Sequence, residues 1–199
     1  MPVVPVPSLR RVTRFAWFAV FYNVLAILWG ALVRATGSGA GCGDHWPLCN
    51  GQVIPVSPGF HTIIEFTHRL MTGGGDSIVV GLLLYWVFRT TVKGQAARGL
   101  AVASTVLLLN EALLGAVLVK LGYVTNNQSV GRMVVLSIHF SNTLLMVAAL
   151  TLTARFLATG QRWRDLHRTH NFTLDTIGLA ATILVGVSGS MAALGDTLF

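Results

Sequence analysis

Charged side chains are scarce in this sequence: only 11% of its 199 residues are Asp, Glu, Lys or Arg, whereas 53% are hydrophobic. An ordinary soluble domain carries about 25% charged residues, so the shortage excludes that class and indicates a protein that lies in a bilayer. The formal net charge of +7 does not indicate a nucleic-acid partner, because the basic residues lie in short stretches between apolar runs and not on one soluble face.

Five apolar runs are each long enough to cross about 30 Å of hydrocarbon as a helix, which takes about 20 residues. They are Phe15–Ala35, Ile63–Phe88, Gly99–Leu121, Met133–Leu157 and Phe172–Leu194. The first run is too long for a signal peptide and is not followed by a small-residue cleavage site, so we expect it to be retained as a helix. The sequence therefore predicts an all-α fold, a polytopic transmembrane helical bundle.

The Lys and Arg residues indicate how this bundle is oriented. Ten of the 14 flank the runs on the side of the N-terminus, and four lie on the opposite side, namely Arg34, Arg69, Lys120 and Arg132. Positive residues are enriched in cytoplasmic loops. We therefore predict a multi-pass protein of the cell (inner) membrane with a cytoplasmic N-terminus.

The runs also suggest a division of the chain. We expect a cytoplasmic tail at 1–14, a four-helix transmembrane bundle at 15–157, a cytoplasmic linker at 158–171 and a fifth transmembrane helix at 172–199. Gly37–Asp44, after the first run, shares five of eight residues with Gly189–Asp196, after the fifth, at an offset of 152. Both runs point outward, as in a parallel repeat. The fifth helix is therefore interpreted as the start of a second, incomplete unit.

The first outer loop, residues 36–62, is the longest connection and holds both cysteines of the chain. Loops longer than about 12–15 residues are uncommon unless they are functional or disordered. Cys42 and Cys49 enclose six residues on the predicted outer face, where disulfides form, so we expect them to pair. Two roles of this disulfide remain open: a structural cross-link that stabilises the fold by about 2–3 kcal/mol, and a redox-active pair. The spacing of the two cysteines matches no known redox motif.

Two histidines are predicted at the same depth in the membrane. His68 lies five residues into the second run and His139 six residues into the fourth, roughly 9 Å deep at 1.5 Å per residue. Glu65 precedes His68 by three residues and shares its helix face. A single intramembrane histidine often only joins helices, but ionisable residues there are costly and indicate function. A matched pair on different helices favours a shared site.

This pair of imidazoles lacks the carboxylate-rich surroundings of a di-iron centre, and it fits haem iron better than zinc. Arg34 and Arg69, at the outer boundary, are placed to pair with haem propionates, or they extend toward lipid headgroups. His45 and His61 are expected at the surface. The sequence therefore predicts a haem site with His68 and His139 as iron ligands.

Acidic residues also lie nearer the bilayer centre. Asp76 and Glu111 have Asn23, Asn110 and Asn142 as candidate partners, because buried polar groups must be hydrogen-bonded. A structural network between helices is favoured over a proton route, since no ladder of carboxylates continues to either surface.

Several motifs together resemble haem A synthase. They are GALVRATGSG at 30–39, CGDHWPLCNG at 42–51, IEFTHR at 64–69, EALLGA at 111–116 and SIH at 137–139. The resemblance covers essentially the whole chain. It implies eight spans in two four-helix halves, each half offering two histidines to a haem. It also implies an enzyme that oxidises a methyl group of haem O to the formyl group of haem A, through a hydroxymethyl stage, for terminal cytochrome oxidases.

Position by position, the resemblance assigns His68 and His139 as axial ligands of haem b or of the substrate haem O, and Glu65 as the carboxylate of the chemistry. It makes Cys42 and Cys49 a disulfide pair that handles haem or relays electrons. It also implies haem O synthase as a partner. The bilayer surrounds the protein, and no nucleic acid is expected.

According to this resemblance, the given sequence does not contain the histidines of the second half. At the repeat offset, counterparts of Glu65 and His68 would lie near 217 and 220, beyond Phe199, and His167 and His170 do not match them. We therefore expect a fragment or shortened form, completed by a missing or self-associated second half. Two other readings remain open: a b-type cytochrome with bis-histidine haem, and a haem-free membrane transport or structural protein.

Overall fold

The computed structural model describes residues 8–163 and 172–195, with only the backbone described at 172–175 and 190–195. Its helices are α1 (Leu9–Ala35), α2 (Phe60–Arg69), α3 (Asp76–Thr90), α4 (Ala96–Lys120), α5 (Val130–Thr159) and α6 (Phe172–Gly195). No β-strand occurs in these two segments. The predicted all-α transmembrane bundle is therefore confirmed.

Within the part of the chain that the structure describes, four helical stretches are long and apolar enough to cross a membrane. They are α1, α4, α5 and the continuous stretch Phe60–Thr90, which contains α2 and α3. The fifth predicted span corresponds to α6, which is apolar over Thr176–Gly189. Leu9–Arg14, which were expected in the tail, belong to α1. His167 and His170 lie outside the described residues, as does most of the predicted linker.

A π-helical segment, Leu70–Gly75, joins α2 to α3. The Tyr22 hydroxyl on α1 donates a hydrogen bond of 3.0 Å to the Met71 carbonyl of this segment. A Cβ atom at Gly75 would overlap that tyrosine ring, so glycine is required for α1 to approach. Such π segments are frequently found at functional sites. This one follows the motif that contains His68.

The helices pack tightly at one end of the bundle only. α1 contacts α3 and α5, and α4 also contacts α3 and α5, which closes a ring of four helices. The fully buried core belongs to the N-terminal halves of α1 and α4 and to the C-terminal halves of α3 and α5. Its innermost members include Ala16, Ala19, Leu83, Val87, Ala101 and Leu150. Small residues let helix backbones approach closely, and the opposite end of the bundle is left hollow.

Candidate functional site

A cavity of about 600 Å³ occupies the hollow end of the bundle. This volume lies within the range of ligand pockets, about 300–1,000 Å³. Both predicted histidines line it, His68 from α2 and His139 from α5, and so do Glu65, Arg34 and Arg69. The structure therefore brings the intramembrane histidines, the carboxylate and both arginines to one place.

The two imidazoles have the same incomplete hydrogen bonding. Nδ1 of His68 and Nδ1 of His139 are buried, and neither makes a hydrogen bond to any described residue. Buried polar atoms are nearly always hydrogen-bonded, so two exceptions in one cavity call for an explanation. Both rings line the cavity, so these two histidines are its most unusual polar residues.

Gly30 on α1 holds the His68 ring in place, and the sequence motif gave no reason to single it out. A Cβ atom at Gly30 would lie 3.0 Å from Cε1 and 3.4 Å from Nε2 of that ring. This separation is too short for an ordinary contact. The absence of a side chain at Gly30 therefore lets the imidazole approach α1 closely.

Glu65 is buried, with only 4% of its surface exposed, and both carboxylate oxygens are engaged. Its Oε2 accepts a hydrogen bond of 2.8 Å from the Cys42 backbone N–H. Its Oε1 accepts from Nη2 of Arg69 at 2.5 Å and from Nε at 3.1 Å. Charge-assisted bonds of this kind keep a buried carboxylate satisfied and in a fixed position.

Arg69 connects this carboxylate to the loop above it. Its Nη1 donates to the backbone carbonyls of His45 and Leu48, at 2.5 and 2.6 Å. The guanidinium therefore uses Nε, Nη1 and Nη2 within the protein while one side of it lines the cavity. Its predicted pairing with haem propionates stays a prediction, as does that of Arg34.

The segment from Cys42 to Cys49, here called the cysteine loop, lies against one side of the cavity. Cys42 and Cys49 are bonded to each other and buried. Between them, Trp46 and Pro47, joined by a cis peptide bond, line the cavity. The Asn50 N–H also donates a hydrogen bond of 2.9 Å to the Cys42 carbonyl, which joins the two ends of the loop. The long loop is thus an ordered structure.

The same loop is docked on the first turn of α2. The Thr62 hydroxyl donates a hydrogen bond of 2.8 Å to the Gly41 carbonyl, and a Cβ atom at Gly41 would overlap the His61 backbone. His61 Nδ1 lies 3.0 Å from the Ser38 hydroxyl. His45 and His61 are both exposed, at the surface where they were expected.

The deeper acids are hydrogen-bonded to the asparagines that the sequence suggested. Asn23 Nδ2 donates 2.9 Å to Asp76 Oδ1 between α1 and α3. Between α4 and α5, Asn142 Nδ2 donates a hydrogen bond of 2.6 Å to Glu111 Oε2. Asn110 Nδ2 donates a further hydrogen bond of 2.8 Å to Asn142 Oδ1. Both acids also line the cavity. They therefore join helices and contribute polar atoms to its wall.

The residues present fit a bound haem. Across the described ranges, no group of three or more His, Cys, Asp or Glu side chains is placed to hold a bare metal ion. His68 and His139 both line the cavity, and histidine is a common ligand of haem iron. At Gly73 and Gly115, which line the cavity, a Cβ atom would meet nothing within 4 Å. Their lack of side chains leaves room beside the backbone for a flat ring.

Comparison with known proteins gives matches over most of the chain. The family described as cytochrome oxidase assembly protein matches residues 13–199. A Thermus thermophilus protein named protoheme IX farnesyltransferase is 44% identical over 193 residues, which are 97% of this chain and 32% of that protein. No solved structure matches this chain.

Two further relatives carry the name Heme A synthase. The protein from Alkalihalophilus pseudofirmus is 37% identical over 129 residues, covering 65% of this chain and 40% of the relative. The protein from Shouchella clausii is 40% identical over 132 residues, covering 66% and 41%. The chain thus matches about a third to two-fifths of the length of these curated relatives.

Proposed function

Because this chain belongs to the cytochrome oxidase assembly protein family, we propose that it acts as a haem A synthase, a membrane oxidoreductase that converts the methyl group of haem O to the formyl group of haem A. The observation that carries the proposal is that His68 and His139, from two different helices, line one cavity. The chain spans about a third to two-fifths of the length of its curated relatives, and its bundle is the part that would bind haem.

His68 and His139 would hold the iron of the haem, either haem b or the substrate haem O. Haem iron bound there supplies one-electron redox chemistry, tuned by its axial ligands. Gly30 leaves space for the His68 ring beside α1, while Trp46 and Pro47 line the cavity on the loop side. Arg34 also lines the cavity and would contact a propionate.

Glu65 acts on the carbon that is oxidised. Both of its oxygens already accept hydrogen bonds, from Cys42 and Arg69, so the carboxylate is better suited to stabilise developing positive charge than to remove a proton. Its fixed position costs no reorganisation during the reaction. The Cys42–Cys49 pair holds the loop whose amide orients this carboxylate.

A farnesylated haem suits the cavity because apolar side chains of α1, α4 and α5 form much of its wall, among them Ile27, Leu108 and Met146. The Thermus relative is named for transfer of a farnesyl group to protohaem. We therefore infer that haem O is the substrate and that the enzyme producing haem O is a partner. The cysteine loop faces the outer side of the cell membrane, where a disulfide persists.

The test is pigment analysis in a host that makes haem O and lacks its own haem A synthase. The chain, extended to the length of its relatives, is expected to yield hydroxylated and formyl haem. Retention of haem O alone, with a normal Soret band, would favour the second candidate, a b-type cytochrome that only transfers electrons. The observation in favour of that candidate is the pair of histidines at one cavity, which is all that such a cytochrome requires.

A haem-free protein is the third outcome. Purified wild-type chain without a Soret band, or a His68→Ala/His139→Ala variant with the wild-type band, would remove the proposed site altogether.

A further inference from the structure

The two candidate iron ligands differ in the residues behind them. His68 has the backbone of Gly30 against its ring, and its Nδ1 has no hydrogen-bond partner in the described part of the chain. His139 has a carboxylate behind it, because Glu111 Oε1 lies 3.4 Å from His139 Nδ1. The site is therefore electrostatically unequal on its two sides.

Glu111 is held in place by its own neighbours. The Thr143 hydroxyl donates to Oε1, and Asn142 Nδ2 donates 2.6 Å to Oε2. Asn142 in turn accepts a hydrogen bond from Asn110 and donates one of 2.9 Å to the Leu107 carbonyl. The carboxylate therefore cannot turn away from His139 without breaking bonds between α4 and α5.

A histidine that binds iron through Nε2 carries its remaining proton on Nδ1, and this N–H is usually donated to a carboxylate, a carbonyl or water. The separation of 3.4 Å is longer than a normal hydrogen bond. Contacts of this kind often tighten when a site is loaded. Glu111 Oε1 is the carboxylate oxygen that faces His139 Nδ1.

We propose that Glu111 is a positioning residue for His139: it accepts the Nδ1–H, orients Nε2 toward the iron and makes this imidazole the more electron-donating of the two ligands. This inference rests on the proposed function, since it requires haem iron in the cavity. A more electron-rich ligand stabilises oxidised iron, so Glu111 lowers the reduction potential of the haem.

The measurement is the midpoint potential of haem in the purified, detergent-solubilised chain, together with its electron paramagnetic resonance spectrum. Glu111→Gln has nearly the same shape but neither the charge nor the acceptor strength. It is expected to raise the potential and to change the low-spin signals, while both histidines stay bound. Glu111→Asp is expected to restore part of the wild-type potential.

Asp76→Asn is the matched control, because it removes another buried carboxylate from the same cavity, one that is bonded to Asn23. We expect it to leave the low-spin signals unchanged and to shift the potential less than Glu111→Gln. Thr143→Val removes a hydrogen bond from Glu111 but keeps the carboxylate. Its potential is expected to stay close to wild type.

Equal potentials and spectra for wild type and Glu111→Gln, at equal haem content, would overturn the inference and leave Glu111 as a link between α4 and α5. If Glu111→Gln holds no haem, the Glu111→Asp potential decides, because a value equal to that of Asp76→Asn also overturns it. Failure of the wild-type chain to bind haem refutes the proposed function itself. The two failures are therefore distinguishable.

Discussion

Arg69 and Glu65, four residues apart on α2, form a salt bridge of 2.5 Å that is almost wholly buried, with side-chain exposures of 12% and 5%. The arginine also binds the carbonyls of His45 and Leu48, and the glutamate binds the Cys42 amide. One ion pair thus attaches the outer loop to the helix that carries His68.

Replacing Arg69 by Gln is expected to destabilise the protein by about 3 kcal/mol, because the buried Glu65 carboxylate loses its charged partner. Thermal unfolding in detergent measures this loss. The double variant Arg69→Gln/Glu65→Gln should recover part of it, which a double-mutant cycle quantifies. Arg89→Gln, at an exposed position on α3, is the matched control. A loss no larger than that of the control contradicts the prediction.

Glu65→Gln separates binding from chemistry. In the full-length enzyme we expect a normal Soret band and accumulation of haem O without formyl haem, since an amide cannot stabilise positive charge as a carboxylate does. Extraction of pigments followed by chromatography measures the result. Wild-type amounts of haem A in this variant would show that Glu65 only anchors the loop.

Gly30→Ala is expected to weaken haem binding by about 2- to 10-fold. The new Cβ lies 3.0 Å from the His68 ring and forces it off its rotamer, at a cost of about 0.5–1.5 kcal/mol. Soret absorbance per protein during haem titration measures the affinity. Gly81→Ala on α3 is the control, because a Cβ there meets nothing within 4 Å. The explanation fails if both variants bind equally.

Cys42→Ser/Cys49→Ser tests the two readings of the cysteine pair. As a staple, the pair contributes about 2–3 kcal/mol, so the variant should keep its haem but show faster proteolysis within residues 36–59. As an electron relay, the pair is needed for turnover even while the loop stays protected. Limited proteolysis and haem A yield, measured on the same preparations, distinguish these results.

The sequence carried enough information for the helices, because long apolar runs predict membrane-spanning helices. It also favoured a shared site for His68 and His139, and both line one cavity; their depth in the membrane stays a prediction. It also suggested that Asp76 and Glu111 would be bonded to asparagines, since buried acids need partners. These inferences depend on local spacing alone.

Other features depend on the path of the outer loop. Arg69 reaches the His45 carbonyl, 24 residues away, and only a folded loop brings that atom to it. Gly30 on α1 packs against His68 on α2, and a single glycine in a sequence does not indicate such a contact. The π-helical turn after His68 is equally hidden, because a run of glycines is compatible with a loop, a kink or close packing.

The concentration of the buried core at one end of the bundle implies that local stability is uneven along each helix. Amides near Ala16, Leu83 and Leu150 are expected to exchange with solvent deuterium only on global unfolding, whereas those near Gly30 and His139 exchange through smaller openings. Ligand bound in the cavity stabilises the folded state by mass action, and the protection it adds falls mainly on the hollow end. The helices of the bundle would thus be stable at the core end without ligand, whereas their stability at the cavity end would depend on ligand binding.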